Sequence, residues 1–126
     1  MKRSRMGLAL LLVLLMGSIA VTRAMERIHC PMEQELNLAA RYAMAGDWDN
    51  AGALFRQVRD SWKKWEHFRA CFADHSPMEE IDGDWKLLGA YYEAREEAAF
   101  AAESSRLARK IAAMGEAHAF VWWNIL

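Results

Sequence analysis

Residues that favour β-sheets are scarce in this chain of 126 residues, which has one threonine, four valines and five isoleucines. Because β-branched residues are enriched in strands, their scarcity argues against a sheet protein and favours an all-helical fold. Two cysteines are too few for a fold held by a disulfide framework. Two prolines, with 26% charged residues, argue against a disordered low-complexity chain. The length favours a single domain.

Catalytic motifs are also missing from the sequence. It contains no glycine-rich phosphate loop, no nucleophile elbow and no HExxH motif. We therefore predict that the protein is not an enzyme, and the residues indicate no cofactor, no metal site and no small-molecule substrate. The apolar content of 54% is unevenly distributed, since six of the 13 leucines fall between Leu8 and Leu15.

The N-terminus has the pattern of an export signal. Lys2, Arg3 and Arg5 precede a run of 14 uncharged residues, Leu8–Val21. A positive segment followed by an apolar run of this length is typical of a signal peptide, whereas a full membrane span needs about 20 apolar residues.

Two interpretations of this segment stay open. Small residues permit cleavage after Ala20 or Ala24, and an uncleaved signal anchor fits equally well. We predict a signal peptide or signal anchor over 1–24 and a helical-bundle domain over 25–126. In both cases the basic residues stay in the cytoplasm, so the body is either membrane-anchored and extracytoplasmic or secreted.

The body that follows is acidic. Residues 25–126 contain 12 basic and 17 acidic side chains, a formal net charge of −5. Nucleic-acid-binding domains carry a basic patch or stripe, so this charge balance excludes nucleic acid as an expected partner.

Local signals divide the body into four helices. Pro31 is placed as a first-turn proline of helix 1. Gly46 is a natural C′ residue and Asp47 a natural N-cap, which predicts a tight turn between two helices. The segment Ser76–Glu79 is a capping box with proline at its first helical position. The last boundary falls near Arg95–Glu97, where acidic residues suit a new helix start.

Apolar spacing agrees with these boundaries, because each segment alternates steps of three and four residues. Short turns make consecutive helices antiparallel neighbours, so we predict two αα-hairpins, 31–75 and 77–121, packed as a four-helix unit. The last helix is expected to continue past Gly115. The predicted core positions are Met32, Leu36, Ala39, Ala43, Trp48, Ala51, Phe55, Val58, Trp62, Trp65, Phe68, Phe72, Met78, Ile81, Trp85, Leu88, Tyr92, Phe100, Ser104, Leu107, Ile111, Met114, His118, Val121 and Ile125.

A weak internal echo supports two hairpins. Tyr42 to Ala51 and Tyr92 to Ala101 each place a tyrosine, a charged turn and an alanine at matching spacing.

Several short motifs over residues 29–126 are distinctive. They are Gly46-Asp47-Trp48 with Ala51, Trp62, Trp65, Phe72, Asp74-His75, Met78, Ile81, Met114-Gly115-Glu116, His118 and the terminal Trp123-Asn124-Ile125-Leu126. With these residues the body resembles a family of short, membrane-associated or exported bacterial helical proteins, catalogued as a domain of unknown function (family forty-three sixty-three). The resemblance implies a helical fold and an envelope location, and it implies no reaction.

The predicted topology brings one group of histidines and cysteines to the membrane-proximal end of the bundle. The group consists of His29, Cys30, Cys71, Asp74, His75 and His118. The structural interpretation is that His75 and His118 are hydrogen-bonded core histidines and that the cysteines are small buried side chains. His118, in the seam of the last helix, also suggests pH sensing.

Two further interpretations of this group stay open. Export permits a Cys30–Cys71 disulfide, although straight helices leave the two residues offset by about 13 Å, beyond the ~7 Å limit for Cα atoms. His67, Cys71 and His75 recur every four residues, a spacing that presents metal ligands on one helical face. Zinc needs a fourth ligand that the sequence does not specify.

Three other groups have plainer interpretations. We interpret Glu79, Glu80, Asp82 and Asp84 as a solvated acidic helix start. Lys63-Lys64 is interpreted as the solvent face of a packed helix. Trp122-Trp123 fits core packing, a partner contact or a membrane interface.

These observations favour an exported or membrane-tethered helical protein that works through protein contacts at the cell envelope, with a protein partner and a membrane contact through the N-terminal segment. The alternative is a metal- or redox-responsive module that uses the histidine and cysteine group.

Overall fold

The computed structural model describes residues 2–67 and 75–120, with side chains described for residues 4–67 and 78–115. These ranges contain four α-helices and no strand, which confirms the predicted all-helical fold. The helices are α1 (Lys2–Met44), α2 (Trp48–Lys64), α3 (His75–Ala94) and α4 (Glu97–Phe120).

Helix α1 corrects the predicted start of the first helix. It runs without a break from Lys2 to Met44, and Pro31 lies inside it on an exposed face. A proline in a helix interior removes one backbone hydrogen bond and costs about 3 kcal/mol. Burial on both sides of Pro31 offsets this cost, because Met25 and His29 before it are as fully buried as Leu36 after it.

One face of α1 forms the centre of the bundle. Its buried residues alternate steps of four and three, as a face that packs on neighbouring helices requires. This face consists of Met25, His29, Met32, Leu36, Ala39 and Ala43. It packs most extensively on α4 and next on α2.

Helices α1 and α4 run in opposite directions. Gly115 of α4 lies beside the His29 side chain, whereas Phe100 of α4 lies beside Trp48, just beyond the end of α1. The alanines on the α1 face permit this close packing because they add little bulk.

The turn between α1 and α2 forms as predicted. Gly46 has a φ of 77°, the left-handed conformation that glycine adopts without a steric penalty. The Asp47 side chain accepts a hydrogen bond from the Asn50 backbone amide at 3.2 Å and so caps α2. α4 begins at Glu97, as predicted, and extends past Gly115 to Phe120.

The predicted spacing of core residues is confirmed across the described helices. Buried apolar side chains from all four helices form one cluster, whose largest members include Trp62, Phe100 and Leu36. Trp65 is an exception because it is exposed at the end of α2. Contacts between α1 and α2 and between α3 and α4 fit the predicted pairing of helices.

Some predictions fall on other parts of the chain. Phe68, Phe72, Val121 and Ile125 lie outside the described residues. The side chains of Ser76 and Pro77, which carry the predicted capping box, are also outside them, although α3 starts one residue before Ser76.

Candidate functional site

The N-terminal part of α1 extends away from the bundle. Large apolar side chains between Met6 and Ile19 are 47–75% exposed, and those of residues 10–16 are exposed on every face of the helix. We call residues 6–20 the apolar arm. By length and composition this helix is able to cross a membrane, and a signal sequence has the same properties. An apolar segment of this kind supports a membrane or export element at the N-terminus, which is the part of the prediction that a signal peptide and a signal anchor share.

The bundle begins directly after the apolar arm. Met25 is the first fully buried residue of α1, and Val21 and Thr22 are partly buried. No loop separates the arm from the bundle, because one helix contains both. The arm and the body are therefore joined by helical backbone.

The predicted histidine and cysteine group is only partly within the described residues. His29 is buried at the expected end, and its Nδ1 atom lies 2.8 Å from the Met25 backbone oxygen. Cys71 and Asp74 lie outside the described residues, as do the side chains of His75 and His118. Within the described ranges, no three His, Cys, Asp or Glu side chains form a group able to hold a metal ion.

Cys30 is an exposed, free cysteine in α1, which corrects its interpretation as a small buried side chain. The Gln34 Nε2 atom donates a hydrogen bond to the Cys30 Sγ atom at 3.6 Å. The disulfide with Cys71 stays a prediction. Lys63 and Lys64 are exposed at the end of α2, which confirms their interpretation as a solvent face.

A shallow groove of about 500 Å³ lies between α1 and the end of α2, next to the arm. Its lining includes Ile28, Pro31 and Met32 of α1 and Trp65 at the end of α2.

The acidic start of α3 corrects the sequence interpretation, because Asp84 is buried rather than solvated. Its side chain is 9% exposed and accepts hydrogen bonds from Arg106 at 2.9 Å and from Lys110 at 2.6 Å. Arg106 also contacts the buried Glu103 at 2.7 Å. Asp84 of α3 thus pairs with Arg106 and Lys110 of α4, and this ion network holds the two helices together.

A different group of side chains lies at the opposite end of the bundle, around the turns of residues 45–47 and 95–96. We call Trp48, Arg56, Tyr92 and Arg95 the distal patch. The Arg95 guanidinium carbon lies 4.7 Å from the Tyr92 ring centroid and 5.2 Å from the Trp48 ring centroid. Both distances are within the range of cation–π attraction.

The rest of the distal patch supports this stack. Trp48 and Tyr92 meet edge to face with centroids 5.8 Å apart, and Arg56 lies 6.0 Å from the Tyr92 centroid. Hydrogen bonding, first from Arg56 and then from Arg95, lowers the pKa of the Tyr92 phenol below its ordinary value. The ring packs against Gly52, where a Cβ atom would overlap the Tyr92 phenol group.

Neither arginine of the distal patch forms an ion pair among the described residues, and exposed Glu96 and Glu97 directly follow Arg95 in sequence. In the part of the chain that the structure describes, the ion pairs involve Arg106 and Lys110, and neither Arg56 nor Arg95 lies within ion-pair distance of a carboxylate. Both side chains are exposed. The patch therefore presents guanidinium groups beside aromatic rings on a body whose net charge is negative.

Comparison with known protein families matches residues 19–125 to DUF4363, a domain of unknown function. The chain belongs to the DUF4363 family. The match includes the end of the apolar arm and the bundle, and it confirms the family resemblance that the sequence motifs indicated. Comparisons with curated proteins and with solved structures find no match for this DUF4363 chain.

Residues that carried the family resemblance also form parts of the DUF4363 fold. Gly46 and Asp47 make the first turn, Trp48 belongs to the distal patch, and Trp62 and Ile81 are buried in the core. The family match gives no reaction for any of these residues.

Sequence reasoning missed the distal patch. The sequence feature that could have indicated the patch is Arg95, a charged residue at the turn position where the first turn has Gly46. The Glu96 backbone amide donates a hydrogen bond to the Tyr91 carbonyl, as the Asp47 amide does to the Tyr42 carbonyl. The second turn therefore aligns with the first through Tyr91, not Tyr92. The predicted echo between Tyr42 and Tyr92 was therefore shifted by one residue.

Proposed function

We propose that this protein is a membrane-anchored helical bundle that works through protein contacts outside the cytoplasm, without catalysing a reaction. The observation that carries the anchoring is the continuity of α1, which is an exposed apolar helix at its start and the central helix of the bundle at its end. Movement or tension at the membrane would reach the core through this one helix.

An uncleaved anchor is favoured over a cleaved signal. The support for it is that α1 continues unbroken through both candidate sites, after Ala20 and after Ala24, so that the apolar arm and the buried face of the bundle form one helix. Mass spectrometry of the purified full chain tests this point, because a mature N-terminus at residue 21 or 25 contradicts the anchor.

The expected orientation follows from the charges that flank the arm. Lys2, Arg3 and Arg5 precede the arm, and positive flanking residues stay on the cytoplasmic side. Cys30 is a suitable reporter because it is exposed and lies about 15 Å beyond residue 20 at ~1.5 Å per residue. In a Cys71→Ser chain, a membrane-impermeant maleimide is expected to label Cys30 from outside intact cells. Labelling only after lysis contradicts the proposed orientation.

A matched pair of variants tests whether the apolar arm is inserted in the membrane. An arginine near the centre of a membrane-spanning helix costs about 2.5–3.5 kcal/mol in insertion. Leu12→Arg is therefore expected to release the protein from membranes during alkaline extraction, whereas Gln57→Arg on the exposed face of α2 leaves it in the membrane fraction. Equal extraction of both variants contradicts insertion of the arm.

The protein-contact role is supported by the distal patch. Tryptophan, tyrosine and arginine are the residues that most often dominate binding energy at protein interfaces. A photo-crosslinking residue at the exposed position Glu96 is expected to give discrete crosslinked products in cells, whereas the same residue at exposed Arg109 gives fewer. The absence of products at every surface position contradicts the role.

The second hypothesis, a metal- or redox-responsive module, gains no support from the described residues. Elemental analysis and thiol titration of the full chain test it directly, since a bound metal or a disulfide would favour it over the contact role.

A further inference from the structure

We propose that the bundle itself contacts the membrane on one side, and that phospholipid of the bilayer that holds the apolar arm occupies the near end of the groove between α1 and α2. This inference goes beyond the arm as an anchor, and it rests on the proposed insertion of that arm. The groove is lined by residues of α1 that follow the arm and by Ser61 and Trp65 at the end of α2.

The apolar arm is short for a membrane span, which brings the bundle to the membrane. Arg5 and Arg23 are separated by 17 uncharged residues, about 25 Å of helix at ~1.5 Å per residue. The hydrocarbon core is about 30 Å thick, and a short span is accommodated by snorkelling of flanking charged residues and by local thinning of the bilayer. The residues directly after Arg23 therefore lie at the level of the lipid headgroups.

One side of α1 continues the apolar surface of the arm into the groove. Gly17, Val21, Ala24, Ile28 and Pro31 follow one another at steps of three or four residues, which places them on one helical face. The last three of these residues line the groove. The near end of the groove therefore extends the surface by which the arm meets lipid.

The opposite side of α1 is polar at the same level. Arg23, Glu26 and Cys30 lie there at steps of three and four residues, and all three are exposed. In a helix at a membrane surface, the apolar face enters the interface and the polar face stays in water. The bundle is therefore expected to lean towards the groove, and a tilt of about 20° is ordinary for a membrane helix.

Trp65 is the residue type that membrane interfaces favour. Tryptophan is enriched at the level of the headgroups because its ring is apolar and its N–H group is polar. Trp65 is 36% exposed and lines the same groove as Ala24 and Ile28. Exposed cations and acids, including Lys64 and Glu66, both flank it, so no net charge selects the lipid and a zwitterionic phospholipid suits the site.

The far end of the groove is polar and lies beyond the reach of lipid. Glu35 lines that end and accepts a hydrogen bond from Gln57 at 3.0 Å. Along α1, Glu35 lies about 18 Å beyond Arg23 and Ile28 about 8 Å beyond it, at ~1.5 Å per residue. The headgroup layer is about 5–8 Å thick on each side of a bilayer. Lipid contact is therefore confined to the end of the groove nearest the arm.

Quenching by spin-labelled lipid tests the contact in the full chain. Single-cysteine variants, made in a chain whose two cysteines are replaced by serine, are labelled with a nitrobenzoxadiazole fluorophore. They are placed in phosphatidylcholine nanodiscs with and without phosphatidylcholine that has a nitroxide on its acyl chain near the headgroup. Trp65→Cys reports on the groove and Ile19→Cys on the arm. Glu26→Cys, on the polar side of α1, and Ala53→Cys, about 18 Å before residue 65 along α2, are the controls.

We expect the nitroxide lipid to quench the labels at residues 19 and 65 at least about twofold more than those at residues 26 and 53. Quenching at residue 19 without excess quenching at residue 65 overturns the groove contact and leaves the anchor in place. Equal quenching at residues 65 and 26 assigns the signal to nearness alone and also overturns the groove contact. The absence of quenching at residue 19 contradicts insertion of the arm, and the groove contact then fails with it.

A second set of variants keeps the tryptophan in place. With the label at Ser61, which also lines the groove, Trp65→Glu is expected to reduce quenching about twofold, because a carboxylate does not enter the interface. Trp65→Phe should retain most of the quenching, since its ring is still apolar. Unchanged quenching in Trp65→Glu contradicts a contact made through this ring. Native helicity of each variant shows that a lost signal does not reflect lost structure.

Discussion

Arg95 occupies, after α3, the left-handed backbone position that Gly46 occupies after α1. Their φ angles are 57° and 77°, and in each turn the next backbone amide bonds to the carbonyl five residues before it, Glu96 to Tyr91 and Asp47 to Tyr42. A left-handed conformation costs a residue other than glycine about 1–2 kcal/mol. The chain therefore has an arginine where glycine satisfies the same hydrogen bonds with less strain.

This relationship predicts an unusual order of stability at position 95. Both Arg95→Gly and Arg95→Ala lose the stack on Tyr92 and Trp48, which contributes about 0.5–1 kcal/mol. Glycine also removes the left-handed strain, whereas alanine keeps it. We expect the glycine variant to be more stable than the alanine variant by about 1 kcal/mol, measured by urea unfolding of the full chain in mild detergent.

The reverse order, with alanine more stable than glycine, would show that the left-handed conformation at position 95 is not maintained in solution. Ala53→Gly on the exposed face of α2 is the matched control, because glycine in a regular helix should lower stability by about 1 kcal/mol.

The support behind Tyr92 gives a second prediction. A Cβ atom at Gly52 would overlap the Tyr92 phenol group, whereas a Cβ atom at Gly83 meets nothing within 4 Å. Gly52→Ala is expected to destabilise the bundle by about 1–3 kcal/mol because the packed ring must move. Gly83→Ala should instead stabilise α3 by up to about 1 kcal/mol through helix propensity. Thermal unfolding of the two variants provides the measurement.

Equal stability of Gly52→Ala and Gly83→Ala would contradict the close contact between residue 52 and the ring.

The helices and their buried faces were predictable because the capping residues and the spacing of apolar residues agree with the observed helix ends and burial over most of the described chain. Asp47 caps α2 through its own side chain, and the seam from Phe100 to Met114 is buried as its spacing indicates. The start of α1 was not predictable from the same signals. Pro31 is favoured at a helix start, but tertiary burial of Met25 and His29 extends the helix through it.

The candidate site was harder to predict because its residues are distant in sequence. Arg95 meets Trp48 only after the two turns are brought together by packing of α1 on α4. Asp84 shows the same limit, since an acidic residue near a helix start is usually solvated. Asp84 can be buried because Arg106 and Lys110 of the next helix pair with its carboxylate.

The Asp84 network predicts different effects for two carboxylates that share Lys110. Asp84→Asn is expected to lower the free energy of unfolding by about 1–3 kcal/mol, because it removes charge-assisted hydrogen bonds in a largely buried position. Glu80→Gln should change it by less than about 0.5 kcal/mol, since Glu80 is 67% exposed and surface ion pairs contribute little. Urea unfolding at neutral pH provides the comparison. Equal effects of the two variants would show that burial does not strengthen the Asp84 contacts.

Lys110 gives the same network a dependence on alkaline pH. Hydrogen bonding, first to Asp84 and then to Glu80, raises the pKa of Lys110 above its ordinary value. The folded state then holds this proton more tightly than the unfolded state. The stabilisation is complete below the unfolded pKa, about 10.4, and is lost as pH rises through the higher folded pKa. Between pH 9 and 11.5 the native protein should therefore lose more stability than Lys110→Met. The lowered pKa of Tyr92 acts in the opposite direction but is common to both proteins, so it cancels in the comparison. Parallel losses in the two proteins would mean that Lys110 does not retain its proton through these contacts.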